Sequence, residues 1–123
     1  MAAGTYDFTI EQGADLNKTL TFYTDSTKTV VLDLSTYSMA MQIRKTKESV
    51  DYIDSLTSGT ARIDTTNAAT GIIILKWTAA ITAAFNFNEA FYDLEFTVGG
   101  VVSRMLQGTI TLSKEVTKWV LLK

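Results

Sequence analysis

The sequence contains no cysteine, no histidine and no proline among its 123 residues. Without cysteine the chain can form neither disulfides nor cysteine-ligated metal sites. Without histidine it lacks the commonest general base and the side chain that titrates near neutral pH. These absences exclude the usual serine and cysteine catalytic triads. Without proline, the usual protector of edge strands is also missing, so the edges of any sheet must be guarded in another way.

Excess positive charge and long apolar segments are also missing. The formal net charge is −2, which argues against a nucleic-acid partner because phosphate binding requires clustered positive charge. The one basic cluster, "RKTK" at 44–47, is interpreted as a solvated strand end. The longest strongly apolar run, "IIIL" at 72–75, is far shorter than the roughly 20 residues of a membrane-spanning helix. The start, "MAAGTYDF", does not resemble a signal peptide, so we expect synthesis in a cytosol and no membrane partner.

Alternation of apolar and polar residues dominates the remaining pattern and predicts strands. It is clearest in "TYDFTIE" at 5–11 and in the segment from Tyr37 to Arg44. Shorter strands are expected at 30–32 and around 52–64. The continuous apolar run "IIILKW" at 72–77 predicts a strand buried on both faces. With turn signals every eight to twelve residues, the sequence predicts an all-β fold, an antiparallel β-sandwich of about seven to nine short strands.

One short helix is expected near 78–85, in "TAAITAAF". Thr78 can cap its N-terminus, and the alanines favour helix. At about two turns the helix must be held by packing. The length of the chain suits one domain, which we place at 1–117, followed by a C-terminal strand or tail at 118–123.

The stretch "YDLEFTVGGVVSRMLQGTITLSKEVT" predicts a long hairpin. Gly99–Gly100 suits a two-residue primed turn, which would set Glu95 opposite Arg104 and Leu94 opposite Met105. Glu95 and Arg104 are then expected to form an ion pair that helps to fix the register. The residues expected on the core face are Leu94, Phe96, Val98 and Met105.

A parity change follows in the second strand of this hairpin. Met105 is expected to face inward, but Ile110 and Leu112 have the opposite parity. A β-bulge near Gly108 would turn all three inward, and glycine is common at such kinks.

Carboxylate pairs are the only candidates for acid–base catalysis. Asp93 and Glu95 share one strand face at a separation of about 7 Å, a spacing compatible with glycoside hydrolysis. Asp51 and Asp54 form a second candidate pair. Because Arg104 is expected beside Glu95, the ion-pair interpretation is preferred, and no catalytic residue is predicted.

Ligand sites have weak candidates. The loops "TDST" at 24–27 and "DTTNAATG" at 64–71 each carry one carboxylate, whereas calcium needs a cluster of oxygen ligands. No metal or cofactor is therefore predicted. Exposed aromatic rings could stack on sugars, and the candidates are Trp77, Tyr23 and Tyr52, each of which could equally be a core residue.

The segment "KWVLLK", residues 118–123, is strongly apolar. It could form a final strand of the same domain, or it could add to another subunit as a donated strand. The candidate interface residues are Trp119, Val120, Leu121 and Leu122.

Three segments together resemble a known family. These are "GTYDFTIEQGADLNKTLTF", "LDLSTYSMAMQIRK" and "FYDLEFTVGGVVSRMLQGTITLSKEVT", and the resemblance covers Gly4 to Thr117. In their order they are similar to small virion proteins of tailed bacteriophages, which resemble the N-terminal domain of upper baseplate proteins. The sequence departs from that pattern at "STY", where "TGY" is common, and in the segment 118–123.

The resemblance implies a non-enzymatic structural protein of the tail, baseplate or neck. It implies no catalytic residue and no cofactor. The partners would be other virion proteins and further copies of the chain, and the location would be the virion after synthesis in the host cytoplasm. Two alternatives stay open: a carbohydrate-binding or host-attachment module, and a glycosidase using Asp93 and Glu95.

Overall fold

The computed structural model describes residues 4–25 and 27–116, which form two packed β-sheets. The strands in these residues are β1 (Gly4–Thr5), β2 (Phe8–Glu11), β3 (Leu16–Thr21), β4 (Ser38–Arg44), β5 (Asp54–Thr57), β6 (Ile63–Asp64), β7 (Ile72–Trp77), β8 (Glu89–Val98) and β9 (Val101–Ser113). One helix, α1, spans Ala79–Ala83, and short 3-10 turns span Ser58–Thr60 and Ala68–Thr70. The predicted β-sandwich with one short helix is confirmed.

The large sheet has six strands in the order β1-β9-β8-β4-β5, with β2 also paired to β9. The pairs β9–β8, β8–β4 and β4–β5 are antiparallel. β1 and β2 instead run parallel to β9. The sequence predicted antiparallel pairing throughout, but strands that are distant in the chain need no tight turn and can pair in parallel.

The small sheet has three antiparallel strands in the order β3-β7-β6. Alternation places every second residue of both sheets in the core between them. On β4 the predicted inward residues Met39, Met41 and Ile43 are buried, and Tyr37 packs against the core beside them. The inward residues of β7, which are Ile73, Leu75 and Trp77, are fully buried as well.

Two strand predictions need correction. β7 was expected to be buried on both faces, but its residues alternate between buried and half-buried, because the small sheet is covered on one face only. The strand expected at 30–32 is reduced to a single bridge between Tyr23 and Val31. Two backbone bonds flank the bridge, from the Thr24 N–H to the Val30 carbonyl and from the Leu32 N–H to the Phe22 carbonyl. The N–H groups of Thr29 and Val30 donate instead to the Asp25 carboxylate.

The predicted helix is confirmed, and hydrogen bonds hold it at the β2–β3 turn. Thr78 caps its N-terminus by accepting a 3.3 Å hydrogen bond from the Ile81 N–H. Thr82, which is fully buried, accepts a 2.9 Å bond from the Gly13 N–H and donates one to the Ala14 carbonyl. Asp15 accepts a 2.6 Å bond from the Ala79 N–H. These bonds replace the intrinsic stability that so short a helix lacks.

The β8–β9 hairpin has the predicted turn and the predicted initial register. Gly99 and Gly100 both have positive φ, and Glu95 lies opposite Arg104. Beyond that pair the register shifts, because Leu94 lies opposite Leu106 rather than Met105. A bulge is therefore present as expected, but its extra residue is Met105 and not a residue near Gly108.

Gly108 meets a different requirement. A Cβ atom at Gly108 would lie 2.1 Å from the Tyr6 carbonyl oxygen, because the chain between β1 and β2 runs directly over this glycine. The Tyr92 hydroxyl donates to the same Tyr6 carbonyl at 2.5 Å. A glycine inside a strand indicates either a bulge or the close approach of another backbone, and here it is the second.

The two sheets are also joined by a partly buried ion pair. The Asp54 carboxylate on β5 accepts two hydrogen bonds from Arg62, at 2.9 and 2.7 Å, and one from the indole N–H of Trp77 on β7, at 3.1 Å. Arg62 also donates to the Lys76 carbonyl at 3.1 Å. Charge-assisted bonds of this kind are the stronger class of hydrogen bonds, so this network fixes β5 of the large sheet against the small sheet.

We predict that Gly108→Ala lowers the free energy of unfolding by about 2 kcal/mol or more, because the new methyl group would displace the Tyr6 backbone. Urea denaturation monitored by tryptophan fluorescence measures the change. Gly59→Ala is the matched control, since its Cβ would approach nothing nearer than the Thr57 hydroxyl at 3.9 Å. Equal stability of the two variants would contradict the conclusion that the Tyr6 backbone leaves no space for a side chain at position 108.

Candidate functional site

A groove of about 620 Å³ lies on the outer face of the large sheet. Its floor is formed by outward-facing residues of β4, β8 and β9, which the alternation directs away from the core. Charged and amide side chains predominate, including Gln42, Arg44, Asp93, Glu95, Arg104 and Gln107. Such a polar face needs no covering sheet. It presents hydrogen-bond donors and acceptors, and both positive and negative charges, to the solvent.

Arg104, the most conspicuous residue of the hairpin in the sequence, points into this groove. The predicted ion pair with Glu95 is wrong, although the two residues lie opposite each other. Arg104 Nε lies 3.4 Å from Asp93 Oδ2, and a guanidinium nitrogen donates a 3.3 Å bond to Gln107 Oε1. The bulge at Met105 shifts the register here, so the arginine meets the diagonal carboxylate. The pair is largely exposed and contributes little to stability.

A second cationic group bounds the other end of the groove. Arg44 donates to the carbonyls of Ser49 and Val50, at 2.9 and 2.7 Å, and to Gln42 Oε1 at 2.5 Å. It therefore closes the loop that follows β4. The "RKTK" cluster begins there, and its three residues after Arg44 are exposed, as the sequence predicts.

Two aromatic side chains reach the groove lining. Phe91 is half-buried on the outer face of β8, and the Lys47 ammonium lies 5.7 Å from its ring centroid. Tyr92 also reaches the groove lining, and its hydroxyl is engaged with the Tyr6 carbonyl. Burial raises the pKa of Tyr92 above its usual range, with smaller contributions from Tyr6 and Asp7, so its hydroxyl acts as a donor at physiological pH.

The two candidate carboxylate pairs have different environments. Asp93 and Glu95 both face the groove, as the alternation predicts. Asp54 instead belongs to the network with Arg62 and Trp77, whereas Asp51 is exposed. The structure therefore gives Asp54 a structural role and places Asp93 and Glu95 in the groove. A third carboxylate, that of Asp7, also lines the groove and accepts a 2.9 Å hydrogen bond from the Thr109 N–H.

The two loops considered for calcium satisfy their carboxylates internally. Asp25 accepts bonds from the hydroxyls of Thr27 and Thr29, and Asp64 accepts a 2.6 Å bond from the Thr66 hydroxyl and pairs with Lys76 at 3.0 Å. These bonds, chiefly from Thr29 and Thr66, hold the pKa of each carboxyl well below its usual range. In residues 4–25 and 27–116, no group of three or more acidic side chains could hold a metal ion.

The candidate sugar-stacking aromatics are not gathered in one site. Trp77 is buried, with 1% of its surface exposed, and Tyr23 is half-buried. Tyr52 is exposed but does not line the groove. Phe91, which does line it, was not singled out in the sequence, because a continuous alternation does not reveal which face is covered.

The tip of the β8–β9 hairpin is an exposed apolar surface, contrary to the prediction from the sequence. Val98 was expected in the core, but it is 38% exposed, and Val101 and Val102 are 63% and 58% exposed. The ladder with β4 ends at the pair Ser38–Thr97, so the hairpin extends past the sheet and its last residues have no core to face. Together Val98, Val101 and Val102 are called the valine tip below.

Other interface candidates lie outside the part of the chain that the structure describes. These are Trp119, Val120, Leu121 and Leu122, in the segment 118–123. Their role as an interface stays a prediction.

Comparisons with models of protein families and with characterised proteins find no match to this chain. Among the described residues, no helix is long and apolar enough to cross a membrane.

We predict that Asp54→Ala lowers the free energy of unfolding by about 2–3 kcal/mol, because Arg62 loses its carboxylate partner and the Trp77 indole N–H loses its acceptor. Chemical denaturation provides the measurement. Asp93→Ala, which removes an exposed pair, is the control and should cost less than about 1 kcal/mol. A larger loss for Asp93→Ala would reverse the two assignments.

Proposed function

We propose that the protein is a non-enzymatic structural component of a tailed-bacteriophage virion, part of the tail, baseplate or neck, and that it acts through contacts between subunits. Its partners would be other virion proteins and further copies of the chain, and its location would be the assembled particle.

The observation that carries the proposal is the valine tip. Val98 and Val101 lie opposite each other and share one face at the end of the hairpin, and the adjacent Val102 projects from the other face; all three present their apolar side chains to the solvent. Contiguous exposed apolar residues typically mark protein–protein contacts. The β-sandwich agrees with the fold that the resemblance implies, and the order of the three segments from Gly4 to Thr117 supports the class of virion protein.

The decisive experiment is mass spectrometry of density-purified phage particles whose genome encodes this chain. We expect its peptides at a constant ratio to the major capsid protein in every particle-containing fraction. Peptides found only in the infected-cell lysate, and absent from purified particles, would overturn the proposal.

A variant of the valine tip tests the mode of contact. The double variant Val101→Asp/Val102→Asp should fold normally, because both side chains are exposed. It should reduce incorporation into particles at least tenfold in a complementation assay, because carboxylates would have to be buried without partners. The control is Val50→Asp. Val50 is 92% exposed and lies near the other end of β4, so this variant should be incorporated normally.

The alternative, a carbohydrate-binding or host-attachment module, is favoured by the outer groove. Asp93, Glu95, Gln42 and Gln107 offer acceptors and donors for sugar hydroxyls, and Phe91 offers a ring on which a sugar could stack. A site of this composition would bind a neutral or amino sugar without catalysing a reaction on it.

A glycan array probed with the full chain tests this alternative. Binding that falls at least tenfold in Glu95→Gln and Phe91→Ala, and not in Asp51→Asn, would support it. Asp51 is exposed and lies outside the groove. If the chain binds no glycan on the array, the carbohydrate-binding alternative is overturned.

A further inference from the structure

β3 forms one edge of the small sheet. It pairs along its whole length with β7, from Leu16 opposite Trp77 to Thr21 opposite Ile72. On its other side, no residue in 4–25 or 27–116 makes a backbone hydrogen bond to 16–21. At six residues it is the longest strand of either sheet that has such an edge.

The core is incompletely covered along this edge. The inward-facing residues of β7 are fully buried, but those of β3 are half-buried, and they include Leu16 and Leu20. Tyr6, which packs against the same side of the core, is half-buried as well. One further strand beside β3 would bury this row, and removing its remaining apolar surface from water is favourable.

The backbone of β3 is oriented to accept that strand. The Phe22 N–H donates to the Gly71 carbonyl at 2.8 Å, in line with the β3–β7 ladder. Because backbone groups alternate sides along a strand, the N–H and C=O groups of Asn17, Thr19 and Thr21 point away from β7. Three residues thus present donors and acceptors in the spacing of a β-ladder.

The segment 118–122 has the composition and length to occupy this edge. Its alternation gives Trp119 and Leu121 one face and Val120 and Leu122 the other, so apolar side chains would meet the half-buried row whichever face turns inward. Five residues span about 17 Å at a strand's rise per residue, close to the roughly 20 Å of β3.

The position of the chain at Glu115 indicates which copy donates the segment. The Lys18 ammonium on β3 lies 5.0 Å from the ring of Tyr6, which precedes β2. At the other edge of the small sheet, Arg62 beside β6 pairs with Asp54 of β5. The open edge of β3 therefore lies on the β2 side of the sandwich. β9 lies inside β2 in the large sheet. The Glu115 N–H is bonded to Gln12 Oε1 at 2.9 Å, beside the β2–β3 connection.

To reach its own β3 edge, the segment would have to cross the β2–β3 connection at the same end of the sandwich. Folds avoid crossed connections of this kind. A neighbouring copy can approach the edge from outside without crossing anything. We propose that residues 118–122 of a neighbouring copy add to the open edge of β3 as a fourth strand of the small sheet. This inference rests on the proposed function, because it identifies one of the subunit contacts.

The first test compares the full chain with a chain that ends at Thr117, by size-exclusion chromatography with light scattering. We expect the full chain to have at least twice the mass of one chain and the shortened chain to be monomeric. A monomeric full chain, or an oligomer that survives the truncation, would overturn the inference.

A proline variant tests the edge itself. Thr19→Pro removes an N–H that points away from β7, so it should abolish the oligomer while the β3–β7 ladder stays intact. Thr19→Ala keeps the N–H and should keep the oligomer. Far-ultraviolet circular dichroism and thermal unfolding verify folding. If Thr19→Pro folds and still forms the oligomer, β3 is not the acceptor.

Cross-linking identifies the donor copy, and it remains informative if Thr19→Pro does not fold. The native chain has no cysteine, so Thr19→Cys can be combined with a single cysteine at each of 119, 120, 121 and 122 in turn. Oxidation should give a covalent dimer for at least one pair, and none when Asn67→Cys, in an exposed loop, replaces Thr19→Cys. A disulfide within one chain, or no disulfide at any position, would overturn the inference.

The outcomes for this inference and for the proposed function are separable. A chain that is present in purified particles but monomeric and not cross-linked in solution retains the virion role and loses the strand exchange. A chain that forms the cross-linked oligomer but is absent from particles retains the exchange as a contact of this protein and loses the virion role.

Discussion

The core of this protein lies between a sheet of six strands and a sheet of three. This difference in width between the two sheets constrains most of the structure. A three-stranded sheet cannot cover a surface twice as wide. The remaining area is closed by α1 and the loops around it, which supply Phe85 and Phe87, and by the segment that contains Leu34. The network of Asp54, Arg62 and Trp77 then fixes the narrower sheet toward the β5 side. The opposite side, at β3, is where coverage is least complete.

The same constraint explains which local features the sequence could predict. Alternation identified the inward residues of β4, and those of β8 up to Phe96, correctly, because both strands lie in the middle of the large sheet and have one covered face. It failed at Val98, where the strand continues past its neighbour and no longer has a core to face. The alternation of residues shows which side chains share a face of the strand. How much of that face is buried depends on the length of the neighbouring strands.

Met105 and Gly108 show a second limit of the sequence. The parity change between Met105 and Ile110 required one extra residue, and the structure contains it. Its position was assigned to glycine because glycine tolerates a kink, but Gly108 is needed for the passage of Tyr6 over the strand. A contact between residues more than a hundred positions apart leaves no local signal. The partner of Arg104 was missed for a related reason, since a one-residue shift in register exchanges directly opposite neighbours for diagonal ones.

Edge protection connects the composition to the proposed assembly. Proline is absent, and the inward-facing charge of Lys18, held over the rings of Tyr6 and Phe8, is the device that remains along β3. A proline would remove a backbone donor permanently, whereas an inward lysine leaves every donor of the edge in place. It disfavours a strand of arbitrary sequence, because that strand would have to bury an ammonium group near apolar side chains. A strand that brings an aromatic ring can instead cover the lysine stem and share its cation–π contact. An edge guarded in this way is selective rather than closed, which is what a specific subunit contact requires.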